Sequence, residues 1–234
     1  MRISIVIPCY NEEKRIIRTL EKINKFIKKR KEKFEIIVVD DGSKDKTVDI
    51  VKKFDSKIKI LKNEKNLGKG ASIKKGMLSS KGDISLFMDA DSSTEISELN
   101  KFLPYLKEND IIIGSRALTQ SKIIKPQGFI RKNMGFLSHK LIDLVLRMDI
   151  KDTTCGFKTF NKKSRETLFT KQLTNGWGFD YEIIFLANKF GFKLKQIPVI
   201  WKNDNASKVT INGYLKSLKE LFMIKFNNFK GRYD

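Results

Sequence analysis

The chain has 234 residues, 40% hydrophobic and 32% charged, which fits one sizeable α/β domain with an elaboration and excludes a disordered chain. Its two cysteines, Cys9 and Cys155, lie far apart with no CxxC spacing, which argues against a disulfide framework or a zinc site and for a reducing cytoplasm. A net charge of +21, 48 Lys+Arg against 27 Asp+Glu, favours polyanionic partners (nucleic acid, an anionic membrane, a phosphorylated substrate) without choosing among them; the weaker alternative for part of it is the compositional bias of a chain rich in Lys, Ile and Asn.

The first residues run directly into Ile3–Ile7, a strand pattern too short for a signal peptide. Glu12–Lys31 reads as a helix, Glu35–Val39 as a strand, Thr47–Phe54 as a helix and Ile58–Leu61 as a strand. Lys69–Ser79 (helix), Ile84–Met88 (strand), Ile96–Leu106 (helix) and Ile111–Gly114 (strand) continue the alternation. This order predicts a Rossmann-like, mostly parallel sheet with helices on both faces. The nearly all-apolar run Glu35-Ile36-Ile37-Val38-Val39 suits a strand buried on both faces.

Beyond this half, 115–128 reads as a polar connector and 129–148 as a helix. The stripe of that helix is Ile130, Met134, Leu137, Leu141, Leu144, Val145 and Met148. A turn-rich segment, 149–162, follows. A helix near 179–190, a strand Leu194–Trp201 and a last helix at 213–229 complete a single domain, 1–234. No apolar run approaches the roughly 20 residues of a membrane span, so a membrane would be met at its surface.

Ligands of open α/β sheets bind beyond the carboxyl ends of the strands. Pro8-Cys9-Tyr10-Asn11-Glu12, Asp40-Asp41-Gly42-Ser43, Asp89-Ala90-Asp91 and Ser115-Arg116 follow four of the strands. Gathered carboxylates repel unless a cation or hydrogen-bond donors offset them. Two that flank a small residue, Asp89 and Asp91, suit a hard divalent ion, Mg²⁺ or Mn²⁺, that also binds substrate phosphates. Asp40 and Asp41 suit a base N–H or a ribose hydroxyl. Asn66-Leu67-Gly68-Lys69-Gly70 lacks Walker spacing, but its glycines free the backbone near a helix start and Lys69 can reach a phosphate.

Taken together, Ile5-Val6-Ile7-Pro8-Cys9-Tyr10-Asn11-Glu12, Val38-Val39-Asp40-Asp41-Gly42-Ser43, Asn66-Leu67-Gly68-Lys69-Gly70 and Asp89-Ala90-Asp91 resemble the ordered motifs of family 2 glycosyltransferases of GT-A fold. Downstream, Asp152-Thr153-Thr154-Cys155-Gly156-Phe157-Lys158, Trp177-Gly178-Phe179-Asp180-Tyr181-Glu182 and Pro198-Val199-Ile200-Trp201 with Ser207-Lys208 resemble its dolichyl-phosphate β-glucosyltransferase branch. The resemblance implies a nucleotide-sugar-binding half, 1–116, and an acceptor-binding half, 117–234. Pro8, Tyr10, Glu12, Asp40, Asp41 and Lys69 would hold the donor, a UDP-sugar, beside Ala90, and Asp89 and Asp91 would hold the metal. Transfer would invert the anomeric carbon. The acceptor would be a polyprenyl or dolichyl phosphate at the inner face of the cell membrane.

Asp180 falls where related enzymes place a base, with Asp152 and Glu182 as rivals; a helix N-cap is the alternative role for Asp180. A phosphate acceptor calls for cations, for which Arg116, Arg131, Lys132 and Lys158 are the candidates. His139, the only histidine, has no partner for a metal site and reads as packing or surface. Leu215, Leu218, Phe222, Phe226 and Phe229 fall at helical spacing among Lys216, Lys219, Lys225 and Lys230, as in a helix lying on a lipid interface, or one packed on the sheet. Two other functions remain open. One is transfer to a glycan or other hydroxyl. The other is binding of nucleic acid, against which stand the missing recognition motif and the acids at the site.

Overall fold

The computed structural model describes residues 1–125, 129–204 and 211–234, without the side chains of 129–134, 136, 211 and 212. The first half runs β1 (Arg2–Cys9), α1 (Ile16–Ile27), β2 (Lys33–Asp40), α2 (Thr47–Phe54), β3 (Lys59–Lys62), α3 (Lys69–Leu78), β4 (Ile84–Met88), α4 (Leu99–Phe102) and β5 (Ile111–Ser115). The second runs β6 (Lys122–Lys125), α5 (Phe129–Leu146), β7 (Phe157–Asn161), α6 (Lys162–Lys171), α7 (Phe179–Lys189), β8 (Leu194–Pro198), β9 (Ile200–Lys202) and α8 (Ile211–Phe229).

Seven strands form one sheet in the order β3-β2-β1-β4-β7-β5-β8, parallel except where β7 runs antiparallel between β4 and β5. Alternation along β1 divides the core. Val6 faces a layer that holds Ile73, Met77, Phe179 and Leu221, while Ile3, Ile5 and Ile7 face one that holds Leu20, Val51, Leu99 and Phe102. The parallel register brings Cys9 opposite Asp40, so β1, β2 and β4 deliver their following loops to the same edge.

The alternation read from the first half is present, with two changes. Asn11 takes φ +52° and the helix begins only at Ile16, after a turn. The segment 96–106 is broken into α4 between two short 3-10 turns, the second carrying Pro104.

The second half departs further. The connector 115–128 contains β6, which pairs with β9, and the turn-rich segment contains β7. Strand β7 carries a fully buried Lys158 between Phe157 and Thr159, which hides its pattern. The 194–201 strand is two strands in two sheets, parted at Val199. Helix α6 is too polar to announce itself by periodicity, but Asn161 caps it by accepting from the Ser164 N–H at 2.8 Å. On α5, Ile142 and Leu146 are buried and Leu137 and Leu144 are exposed; the expected stripe positions Ile130 and Met134 lie outside the described side chains. No helix among the described residues is long and apolar enough to cross a membrane.

Candidate active site

A cavity of about 1030 Å³ opens at the carboxyl edge of the sheet, and Pro8, Tyr10, Glu12, Asp41, Lys69, Asp89, Ala90 and Asp91 line it. The loop after β2 builds its floor. Asp41 accepts from Asn63 Nδ2 at 2.8 Å, Leu67 N–H at 3.0 Å and Gly68 N–H at 2.9 Å, tying the Asn66–Gly70 loop to the sheet. Gly68 holds φ +106°, and a Cβ there would stand 2.4 Å from the Asn175 carbonyl oxygen, so only glycine fits. Asp40 is buried and accepts from the Ser43 N–H at 3.3 Å; its carboxylate serves the turn. Glu12 is engaged by Arg15 at 2.7 Å through both carboxylate oxygens. Arg15 also lines the cavity, and the motif reading passed over it although it falls one helical turn from Glu12.

Asp89 and Asp91 meet the cavity together. Burial pushes the Asp91 carboxyl up, and the charge of Asp89 adds to it, outweighing the Ser93 N–H donated at 2.9 Å and the charge of Arg15. Asp89 is offset on one side by Lys69, whose Nζ lies 2.7 Å from Oδ1. That ammonium also faces the rings of Trp177 and Phe179, at 5.3 and 5.8 Å. Behind Asp89 is the backbone of Gly156, where a Cβ would stand 1.9 Å from Oδ2. The pair thus has hard oxygen ligands and too little positive charge, a donor set that fits Mg²⁺ or Mn²⁺. No group of three or more metal-ligating side chains forms among the described residues, so further ligands would come from phosphate and water.

The acceptor-side candidates are paired with one another. Arg116 donates to Asp152 from its backbone N–H, Nε and Nη2 at 2.7–2.8 Å. Burial opposes the charge on Asp152, yet Arg116 outweighs it and holds the carboxyl below its usual range, so Asp152 is a poor base. Arg116, a candidate for the acceptor phosphate, lines the cavity with its guanidinium bound to Asp152 and stacked at 5.5 Å on Trp201. The reading of Lys158 as a phosphate ligand is corrected. It is fully buried, donates to the Cys155 carbonyl at 2.7 Å and is ion-paired with Asp180, so it cannot meet an acceptor itself. Asp180 lines the cavity from the first turn of α7, and the N-cap position belongs to Gly178. Burial pushes its carboxyl up, against the pull of Lys158 and Lys69. The rival Glu182 is buried structurally, accepting from the Leu173 and Thr174 N–H groups and the Tyr233 hydroxyl. The side chains of Arg131 and Lys132 lie outside the described residues.

From this polar end the cavity continues between α5 and α8, where Ile142, Leu218 and Leu221 supply apolar wall and His139, Tyr214 and Ser217 supply polar groups. His139 is therefore a cavity residue rather than surface, and its Nδ1 is buried with no partner among the described residues. Tyr214 and Ser217 carry no motif; only the 3–4 spacing of Tyr214, Ser217, Leu218 and Leu221 marks a single helix face. The outer face of the same helices leaves Leu137, Leu144, Leu215, Phe222, Phe226 and Phe229 exposed.

Comparison with known proteins places the chain in a family. The profile described as Glycosyl transferase family 2 matches residues 4–169. The dolichyl-phosphate beta-glucosyltransferase ALG5D of Trichomonas vaginalis is 37% identical over 95% of this chain and 72% of its own length. The human dolichyl-phosphate beta-glucosyltransferase is 31% identical over 99% of this chain and 77% of its own. Mannosyl-3-phosphoglycerate synthase from Rubrobacter xylanophilus superposes with a TM-score of 0.76 at 16% identity, covering 99% of this chain and 75% of that one. Glucosyl-3-phosphoglycerate synthase from Mycobacterium tuberculosis, solved with Mn²⁺, UDP and glucosyl-3-phosphoglycerate, gives 0.69 at 17%, covering 95% and 79%. With its fold shared by these synthases and its sequence by the glucosyltransferases, the chain belongs to glycosyltransferase family 2 and has the GT-A fold.

Proposed function

We propose that this glycosyltransferase moves glucose from UDP-glucose onto a polyprenyl or dolichyl phosphate, with inversion, at the cytoplasmic face of a membrane. The observation that carries the reading is the continuity of one cavity from the Asp89–Asp91 edge to the apolar wall of Ile142, Leu218 and Leu221. A charged headgroup attached to a long hydrocarbon needs both ends. The relatives named as dolichyl-phosphate beta-glucosyltransferases support that choice of acceptor, and a synthase of the same fold that binds Mn²⁺ and UDP supports the choice of donor.

In this reading Pro8, Tyr10 and the loop braced by Asp41 hold the base and ribose. Lys69 faces the diphosphate, and Asp89 and Asp91 hold the divalent ion. When bound, that ion offsets the charge that develops on the departing nucleoside diphosphate. The acceptor phosphate is ionised near neutral pH and attacks the anomeric carbon from the face opposite the leaving group. It therefore needs a weaker base than a hydroxyl would. Asp180, next to Lys69 and raised by burial, orients the acceptor and takes a residual proton. Exposed apolar residues on α5 and α8, set among Lys216, Lys219, Lys225 and Lys230, rest the cavity mouth on anionic lipid.

The test supplies radiolabelled UDP-glucose with either polyprenyl phosphate or oligosaccharides. Label is expected in the lipid fraction; exclusive labelling of the glycan would overturn the acceptor. A thermal-shift screen of UDP- and GDP-sugars with and without Mn²⁺ checks the donor, with stabilisation expected from UDP-glucose and its loss on adding chelator.

A further inference from the structure

We propose that Lys158 is a positioning residue: it fixes the Asp180 carboxylate at the cavity wall for the transfer reaction. The proposal rests on Asp180 being the acceptor-side carboxylate.

Three observations carry it. Lys158 and Asp180 are both buried, at 0% and 3% exposure, and are ion-paired through Asp180 Oδ1. Lys158 is itself held twice more, by the Cys155 carbonyl at 2.7 Å and by the face of Phe87, 5.1 Å from its ring centroid. An ammonium anchored at three points, on a strand in the middle of the sheet, is a rigid post rather than a mobile counter-ion. Asp180 lines the cavity and spends Oδ1 on this post, and in this proposal Oδ2 meets the ligand.

Stability alone explains the pair poorly. Removing two charges from water costs more than most buried pairs return, and apolar replacements of equal volume are often neutral or better. Lys158 stands in β7 between Phe157 and Thr159, both buried, with Phe160 further along the strand. What an apolar replacement such as Met could not do is fix the direction of one carboxylate oxygen. The charged groups that face Asp180 are Lys158 from β7, Lys69 from α3 and Asp89 beyond β4. Of these only Lys158 is sealed from the cavity, so it alone keeps its place when ligands enter.

The experiment is a double-mutant cycle of Lys158→Met and Asp180→Asn in the full chain, measuring kcat, KM for the donor and the pH profile of kcat, with folding followed by circular dichroism. Misplacing a reacting group by about 1 Å costs on the order of 100-fold. Lys158→Met is therefore expected to lower kcat by about 100-fold with donor KM within about 3-fold, and to move the acid limb of the profile to higher pH. In the Asp180→Asn background the same change should alter kcat by less than about 3-fold. Should Lys158→Met fail to fold, Lys158→Gln, uncharged but able to hydrogen-bond, is read in the same cycle.

Undiminished kcat in the Lys158 variant, or an equal loss in both backgrounds, overturns the proposal and leaves Lys158 structural. Full activity of Asp180→Asn alone would instead remove the role assigned to Asp180, a separate failure.

Discussion

The two halves of the molecule handle charge in opposite ways. Before Arg116 the pair Asp89 and Asp91 stands at a strand end, open to the cavity and short of compensation: Asp91 is pushed up by burial and by Asp89, and Lys69 offsets only one side. From Arg116 onward the charges near the cavity are matched, Arg116 with Asp152 and Lys158 with Asp180. In the proposed function the first half receives external charge, a cation with its diphosphate. The other is already balanced and presents apolar wall. The sharpest test of the contrast asks whether charge removal harms the fold in the second half and spares it in the first.

The largest effect is expected at Asp91. Asp91→Asn should reduce turnover by roughly 10³-fold, the scale on which one electrostatic contact to a developing charge acts. The fold should not suffer. A carboxyl raised by burial stabilises the protein below its unfolded value, near pH 4, and that contribution is lost as pH rises through the folded value. At pH 7 the Asn variant escapes this penalty. Its Tm should rise rather than fall. A fallen Tm with intact turnover would place Asp91 in the scaffold.

Gly156→Ala comes next, at about 100-fold. The added Cβ would stand 1.9 Å from Asp89 Oδ2, so the carboxylate must swing away and loosen its grip on Lys69 or a metal. Mn²⁺ titration in the presence of UDP should show weaker binding, and unchanged binding would show that Asp89 has room to move.

The same contrast explains what could be read from the sequence. Donor-side residues follow apolar strands, so Asp41, Asp89 and Asp91 could be placed on the sheet edge from periodicity and order alone. Asp40 marks the limit of that reasoning: it shares the position, yet its side chain turns to the Ser43 N–H, a choice made by one χ angle. In the second half, Lys158 and Thr159 hide the pattern of β7, and that lysine reads as a phosphate ligand because a buried cation cannot be told from an exposed one without its partner. Tyr214, Ser217 and His139 are brought to the cavity by the meeting of α5 and α8, a tertiary event with no local signal.

Asp152→Asn tests the second half directly. Breaking a buried pair leaves the other charge uncompensated, which costs about 3 kcal/mol. Since Arg116 holds the Asp152 carboxyl below its usual range, the pair's contribution is complete above the unfolded value of roughly 3.9 and disappears as pH falls through the lower folded value. The stability gap between wild type and variant, measured by urea denaturation, should thus be constant from pH 7 to pH 5 and close in stronger acid. A gap that grew on acidification would reverse the sign and exclude the pair as its cause.

The smallest effect is expected on the outer face of α8. Phe222 and Phe226 are more than half exposed, at 57% and 52%, so replacing both by Ser should change folding stability by no more than about 0.5 kcal/mol. If that face rests on lipid, the same substitutions remove apolar area from an interface, and binding to anionic vesicles should weaken about 10-fold at low salt. Activity toward a short-chain, water-soluble acceptor phosphate should stay constant, because neither ring lines the cavity. Raising the salt should weaken the wild type as well, through the screening of Lys216, Lys219, Lys225 and Lys230. The lysines and the rings then act on different variables, ionic strength and apolar area. A double change that lowered Tm while leaving vesicle binding intact would show that the stripe packs against protein rather than lipid, and the second half would then be a closed acceptor site rather than one open to a membrane.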